Sequence, residues 1–220
     1  MLNKQGPGKI DWTDYTWNPI KGCLHECPYC YMDKMVRFDP EIMEPGFRPE
    51  FIGDDMPRLR RLKPSRIFVG SSGDMWGEWV KPEWILQALY VVEQCPQHTF
   101  LFLTKNPRRY VDFPLPIENA WYGTTDDGTP RTEGNITKLD MATQSHGTKR
   151  FVSFEPLLEE VLPNLVGISW IIIGADSTRG AKKPPDEWAD RILNEASLLG
   201  IPAWVKDNYK YPLSVKRLPT

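Results

Sequence analysis

Thr99-Phe100-Leu101-Phe102-Leu103-Thr104-Lys105 and, further along, Trp170-Ile171-Ile172-Ile173-Gly174 decide the fold class of this chain. Each contains an unbroken apolar run of strand length, Phe100–Leu103 and Trp170–Ile173, and ends on a polar residue or a glycine. A strand with one face in water alternates apolar and polar residues. A run that is apolar at every position suits a strand covered on both faces, as in a parallel sheet flanked by helices. Working outward, Tyr15–Ile20, Arg66–Gly70, Ala120–Gly123, Arg150–Phe154 and Pro202–Val205 are further strand candidates. Helical patterns fall between them. Pro82 opens one with Trp84, Ile85, Ala88, Leu89, Val92 and Cys95 on one stripe, which makes Cys95 a core thiol. A second starts near Pro185 and stops at Gly200, a third covers roughly Asn135–Thr143, and a short one is expected over Tyr31–Val36. Alternating strands and helices predict an α/β fold with a mainly parallel sheet. Six or seven such units predict an open, partial (β/α) barrel, because a complete eight-unit barrel takes about 250 residues and this chain has 220.

The length suits one domain, residues 1–220, and the 40% hydrophobic and 25% charged fractions are ordinary for a globular chain. No apolar run approaches a membrane span, and MLNKQGPGKIDW lacks the apolar stretch of a secretory signal. A cytoplasmic protein with reduced thiols and no membrane partner is expected. The net charge of −2 supplies no overall field for nucleic acid, so that partner has weak support. The local basic stretches, Arg58, Arg60, Arg61, Lys63 and Arg66, then Lys105, Arg108 and Arg109, read as solvated charges. The segment 40–64 holds Pro40, Pro45, Pro49, Pro57 and Pro64, with a short helix near Asp55–Leu62. It is too long for an ordinary βα connection and is either a lid or a structural wrap.

The chemistry centres on Cys23-Leu24-His25-Glu26-Cys27-Pro28-Tyr29-Cys30, a C-x3-C-x2-C run. Three thiolates on one loop can hold three corners of a [4Fe–4S] cluster and leave the fourth iron open to a small molecule. A zinc site would add His25, but no second cysteine pair follows, and His25 lies between two of the thiols. A disulfide framework fits neither the bunching nor the expected compartment. Function in parallel α/β folds collects at the carboxyl ends of strands. There the chain places Ser71, Ser72 and Asp74, then Lys105, then Thr124 and Thr125, then Glu155, Asp176, and finally Lys206 and Asn208.

The cysteine spacing, with Tyr29 before the last cysteine, resembles the signature of the radical S-adenosylmethionine (SAM) superfamily. Together with Asp11-Trp12-Thr13-Asp14-Tyr15-Thr16-Trp17-Asn18-Pro19, Leu103-Thr104-Lys105, Glu155-Pro156-Leu157-Leu158 and Trp204-Val205-Lys206, it resembles a phage-associated radical SAM-like family, found in phage genomes and bacterial chromosomes and mostly without assigned substrates. That resemblance implies a partial (β/α)6-type TIM barrel with the cluster loop after its first strand. It implies that Cys23, Cys27 and Cys30 ligate a [4Fe–4S] cluster, that SAM chelates the open iron, and that Tyr29 lies near the adenine. Ser71, Ser72 and Asp74 stand where the superfamily binds the SAM amino group, and Thr124 and Thr125 are expected at its ribose. Lys105 and Asp176 complete the expected cofactor contacts, although members often show Gly-Gly-Glu-Ser where this chain has Gly174-Ala175-Asp176-Ser177. Glu155, Lys206 and Asn208 are the expected catalytic or substrate residues. The implied substrate is a small molecule, a nucleotide or a modified nucleobase, and the implied electron donor is of flavodoxin or ferredoxin type. A zinc-stabilised nucleic-acid-binding protein and an iron–sulfur electron carrier without SAM chemistry are the alternatives.

Overall fold

The structure is a computed structural model and describes residues 1–6, 8–32, 48–144 and 147–219. Ten strands are described: β1 Leu2–Lys4, β2 Tyr15–Trp17, β3 Ile20–Lys21, β4 Glu50–Phe51, β5 Arg66–Val69, β6 Thr99–Thr104, β7 Ala120–Thr125, β8 Lys149–Phe154, β9 Trp170–Ile173 and β10 Ala203–Val205. The α-helices are α1 Met56–Leu59, α2 Pro82–Glu93, α3 Asn135–Thr143 and α4 Asp186–Leu198. Eight strands form one sheet in the order β1-β2-β5-β6-β7-β8-β9-β10. The β1–β2 pairing is antiparallel and every other pairing in that sheet is parallel. The expected strand Tyr15–Ile20 divides into β2 and β3 at Asn18-Pro19, since proline has no N–H for the ladder.

Each parallel strand lies beside the next one in the chain. Right-handed crossovers that always step the same way put their helices on one face of the sheet. The burial pattern agrees. Ile85, Ala88, Leu89 and Val92 of α2 and Ala189, Ile192 and Ala196 of α4 share one core with Ile67, Val69, Phe100, Phe102, Tyr122, Val152, Ile171 and Ile173. The alternate strand positions form a second core on the opposite face, which is helix-free among the described residues: Phe68, Leu101, Trp121, Phe151, Trp170 and Ile172, with Trp12 from the loop before β2. The Trp12 ring lies 4.8 Å from that of Phe68 and 5.8 Å from that of Trp170. Their strands stand four places apart in the sheet, about 19 Å if it were flat. The sheet therefore curls around Trp12.

The curl stays open, for no ladder joins β1 to β10 among the described residues. Instead, the carboxyl-terminal segment covers the β10 edge. Val205 N–H donates to the Val215 carbonyl and Arg217 N–H to that of Ala203, and Lys216 forms a bridge opposite Trp204. The Lys216 ammonium lies over the Trp204 ring and pairs with Asp11 at 2.7 Å, so the last turn of chain is fastened to the loop that carries Trp12.

Of the proline-rich segment 40–64, residues 40–47 lie outside the described residues, as do residues 33–36 of the expected Tyr31–Val36 helix. The later part of the proline-rich segment packs down as a wrap: β4 pairs with β3, and Leu59 of α1 is fully buried. Among the described residues no helix is long and apolar enough to cross a membrane.

Candidate functional site at the carboxyl edge of the sheet

Cys23, Cys27 and Cys30 follow β3 as free, half-buried thiols. The loop that carries them is tied to the ends of three strands. Gly22 N–H donates to the Ser72 carbonyl, and the two glycines Gly22 and Gly73 meet back to back. A Cβ on Gly73 would stand 2.6 Å from the Gly22 carbonyl oxygen, and one on Gly22 would stand 2.1 Å from that of Arg48. Gly22 also holds φ at +88°, a region that glycine alone occupies at no steric cost. Only bare backbone allows the loop after β5 and the root of the cysteine loop to approach so closely.

Asp74, in the β5–α2 connection, is the second tie. Its Oδ2 meets His25 Nε2 at 2.7 Å and accepts from Thr104 Oγ1 at 2.8 Å and the Lys105 amide at 3.0 Å. Its Oδ1 accepts from the Trp76 amide at 3.0 Å. Burial alone would raise its pKa, but the hydrogen bonds from His25, Lys105 and Thr104 outweigh burial and hold the carboxyl below the ordinary value of 3.8. The third tie comes from the loop after β7. Tyr29 donates its hydroxyl to Asp127 at 2.5 Å, and Arg131 donates to the His25 carbonyl at 2.5 Å. Asp127 is itself fixed by Thr129 and Thr132, and the Lys105 ammonium sits 5.5 Å over the Tyr29 ring. Burial and the contact with Asp127 push the Tyr29 phenol upward, so it stays protonated and donates.

Cys23 lies close enough to Asp74, Cys27 and Lys105 for each to act on its thiol. Burial first, and then the Asp74 charge, push it up to about 12. A bare Cys23 is thus a protonated thiol at neutral pH, not a reactive thiolate. A bound cation reverses this, because metal ligation exchanges the proton for the metal. Among the described residues no three His, Cys, Asp or Glu side chains are already gathered at metal-binding spacing. The donor chemistry nonetheless fits a thiophilic centre: three free thiols on one braced loop with a lysine beside them.

Farther along the same edge, strand register sets out two rows on the helix-free face. Thr125, Ser153, Ile172 and Trp204 stand side by side. One step beyond the paired residues come Glu155, Gly174 and Lys206. Glu155 and Lys206 belong to strand ends two places apart, yet their side chains form an ion pair. The glycine between them makes this contact possible, since a Cβ on Gly174 would lie 2.9 Å from Cδ and Cγ of Glu155. Below the pair, Ser153 is buried and its hydroxyl has no hydrogen-bond partner among the described residues.

The expected site residues divide into groups. Asp74, Lys105 and Tyr29 touch the cysteine loop or one another. Ser71 exchanges hydrogen bonds with the Asn18 side chain, and Ser72 gives that side chain its amide. Thr125 faces the helix-free side, whereas Thr124 shares the parity of Tyr122 and spends its hydroxyl on the Thr104 carbonyl. Asp176 accepts from the Thr178 amide in a local turn. Asn208 clamps the loop after β9, donating to the Ala175 carbonyl at 2.7 Å and to Ser177 at 3.0 Å. Sequence reasoning missed Asn18, Thr104, Asp127 and Arg131. Asn18 and Thr104 sat within quoted motifs, but nothing in the sequence marks Arg131 as a partner of a residue 106 positions away.

Fold and site together define an α/β protein with a consecutively ordered parallel sheet and a three-cysteine loop braced across its carboxyl edge. A family described as "Protein of unknown function (DUF5131)" matches residues 7–216, and the chain belongs to that family. No curated protein and no solved structure matches it.

Proposed function

We propose that this protein is a radical SAM enzyme built on a partial (β/α) barrel. The observation that carries the reading is the bracing of the three-cysteine loop by Asp74, Asp127 and Arg131, all from loops at the carboxyl edge that also bears Glu155 and Lys206. Cys23, Cys27 and Cys30 would hold a [4Fe–4S] cluster. Such a centre would supply, when SAM is bound, the one electron for reductive cleavage of the C5′–S bond of SAM to methionine and a 5′-deoxyadenosyl radical, which would take a hydrogen atom from a substrate. The chain's own residues do the rest. The brace fixes the loop, Tyr29 and Lys105 offer an aromatic face and a cation beside it, and Ser71, Ser72, Thr125 and Asp176 are the remaining candidates for cofactor contacts. Glu155 and Lys206 would orient the substrate, Asn208 would hold the loop beside them, and the aromatic core below would limit the entry of water.

A small substrate, a nucleotide or modified nucleobase, suits this edge better than a nucleic-acid duplex. Asp74, Asp127, Glu155 and Asp176 stand there against Lys105, Arg131 and Lys206, which leaves no excess of positive charge, while the longer of the two basic stretches ends at Arg66, the first residue of β5, at the opposite end of the sheet. The electron donor would be a flavodoxin- or ferredoxin-type protein. A second reading rests on one contact: an imidazole paired with a carboxylate, as His25 is with Asp74, is how metal-ligating histidines are commonly oriented. It would give a Cys3His zinc site.

Anaerobic reconstitution separates the two. The enzyme reading expects about four iron and four sulfide per chain and 5′-deoxyadenosine after addition of SAM and a reductant, with both lost in Cys23→Ala, Cys27→Ala and Cys30→Ala. Tightly held zinc that excludes iron would contradict it.

A further inference from the structure

Ser153 is 1% exposed, and its hydroxyl has no hydrogen-bond partner among the described residues. A buried hydroxyl in that state costs stability, so its presence calls for a reason. Ser153 follows Phe151 by two residues and precedes Glu155 by two. Strand alternation therefore turns all three toward the helix-free face, where Phe151 belongs to the core. In register, Ser153 has Thr125 on one side and Ile172, then Trp204, on the other. One layer nearer the edge, Lys206 donates to Glu155 across the bare Gly174. The backbone roots of that layer are pinned. The Gly174 amide donates to the Phe154 carbonyl at 3.0 Å, and the Lys206 amide donates to that of Ile173 at 2.8 Å. The charged side chains stay reachable, at 22% exposure for Glu155 and 17% for Lys206. Fixed roots, reachable charged heads and an unused hydroxyl beneath them make a seat for a ligand.

The chemistry of the seat limits what it takes. Glu155 and Lys206 cancel in charge, so an ion of either sign meets a like charge beside its counterpart, whereas an uncharged ligand does not. Lys206 is only a donor and the Glu155 carboxylate only an acceptor, while the Ser153 hydroxyl is free to donate. The floor of Phe151, Ile172 and Trp204 is apolar and suits a flat ring. We propose that Glu155, Lys206 and Ser153 bind the imide edge of a pyrimidine ring, the C(=O)–NH–C(=O) edge that uracil and thymine present. This deepens the function proposed above and rests on its assignment of Glu155 and Lys206 to the substrate. The imide N–H donates to Glu155, one flanking carbonyl accepts from Lys206 and the other accepts from Ser153. The edge enters between the two charged heads, exchanges their direct contact for charge-assisted hydrogen bonds and gives Ser153 the partner it lacks. Cytosine sets a ring acceptor against Glu155 where the imide has its N–H, and a site built to pair a donor rejects a ligand that lacks it.

The test is calorimetric titration of the purified protein with thymidine, uridine, cytidine, adenosine and guanosine, repeated after anaerobic reconstitution with SAM present. A thymidine oligonucleotide is titrated beside thymidine, and the tighter of the two identifies the source of the edge as a free nucleoside or a base in a strand. Thymidine and uridine are expected to bind about tenfold more tightly than the other three nucleosides. Ser153→Ala is expected to weaken thymidine binding about tenfold while leaving or raising the urea midpoint, because it removes an unsatisfied hydroxyl. Glu155→Gln can turn an amide N–H toward the ligand and is expected to narrow the preference for uridine over cytidine. Tighter or equal binding of cytidine, adenosine or guanosine, thymidine binding unchanged in Ser153→Ala, or no nucleoside binding in either state of the protein would overturn the proposal. If Ser153→Ala does not fold, Glu155→Gln decides, and an unchanged preference contradicts the proposal. SAM cleavage in a protein without imide preference would sink this inference and leave the enzyme reading standing. Imide preference in a protein that takes up no cluster would do the reverse.

Discussion

Gly174 and Asp74 are single residues whose atoms control much of the carboxyl edge. Replacing Gly174 with alanine puts a Cβ 2.9 Å from the Glu155 side chain, which must then swing away from Lys206. Because the displaced group is a partly exposed side chain rather than backbone, the stability cost should stay near 1 kcal/mol. On the enzyme reading, the 5′-deoxyadenosine formed with SAM and a reductant should fall more steeply than stability, and thermal unfolding measured beside that assay separates the two effects. Asp74→Asn leaves His25, Thr104 and Lys105 with a weaker, uncharged partner and should cost about 3 kcal/mol. Its pH dependence follows from the lowered pKa. A depressed carboxyl contributes its full stability above the unfolded value, ordinarily 3.8, and loses it as pH falls through the lower folded value. Urea unfolding of wild type and Asp74→Asn should therefore show a wide gap at neutral pH that narrows as pH falls below 3.8. The thiols at this edge were legible as residues, since their spacing has no ordinary structural explanation. The part played by Asp74 was not: a carboxylate after a strand reads equally as ligand contact or as brace, and only its four bonded neighbours identify a brace.

Secondary structure was most legible where burial leaves no alternative. Phe100–Leu103 and Trp170–Ile173 read as covered strands because both faces of the sheet meet an apolar core, and they are. The helix expected over Asn135–Thr143 has those same ends, and Gly200, at φ +69°, stands just past α4 as a stop. The antiparallel β1 and the strap at Lys216 gave no signal, because each is short and polar and depends on an edge that only the finished sheet provides. That strap has a measurable role. Lys216 joins Asp11, Asp207 and the Trp204 ring. Lys216→Met should lower stability by about 1 kcal/mol in chemical denaturation. Amide exchange should rise at Val205 and Arg217, whose N–H groups bond across the strap. Unchanged exchange there would mean that the edge is held without Lys216.

At the scale of the whole molecule, the sheet curls around Trp12. The cysteine loop stands at one side and the Glu155–Lys206 pair at the other, bridged by the neighbouring strand ends that carry Lys105, Thr125 and Ser153. An electron carrier or a structural zinc protein would leave the Glu155–Lys206 pair without a common purpose with the thiols; an enzyme that generates a radical at one side and holds its target at the other uses both. The most direct measurement is electron paramagnetic resonance of the anaerobically reconstituted and reduced protein, recorded with and without SAM. The account predicts a [4Fe–4S]⁺ signal that changes when SAM is added, because the fourth iron is open to it. A reduced cluster whose spectrum is indifferent to SAM would contradict it.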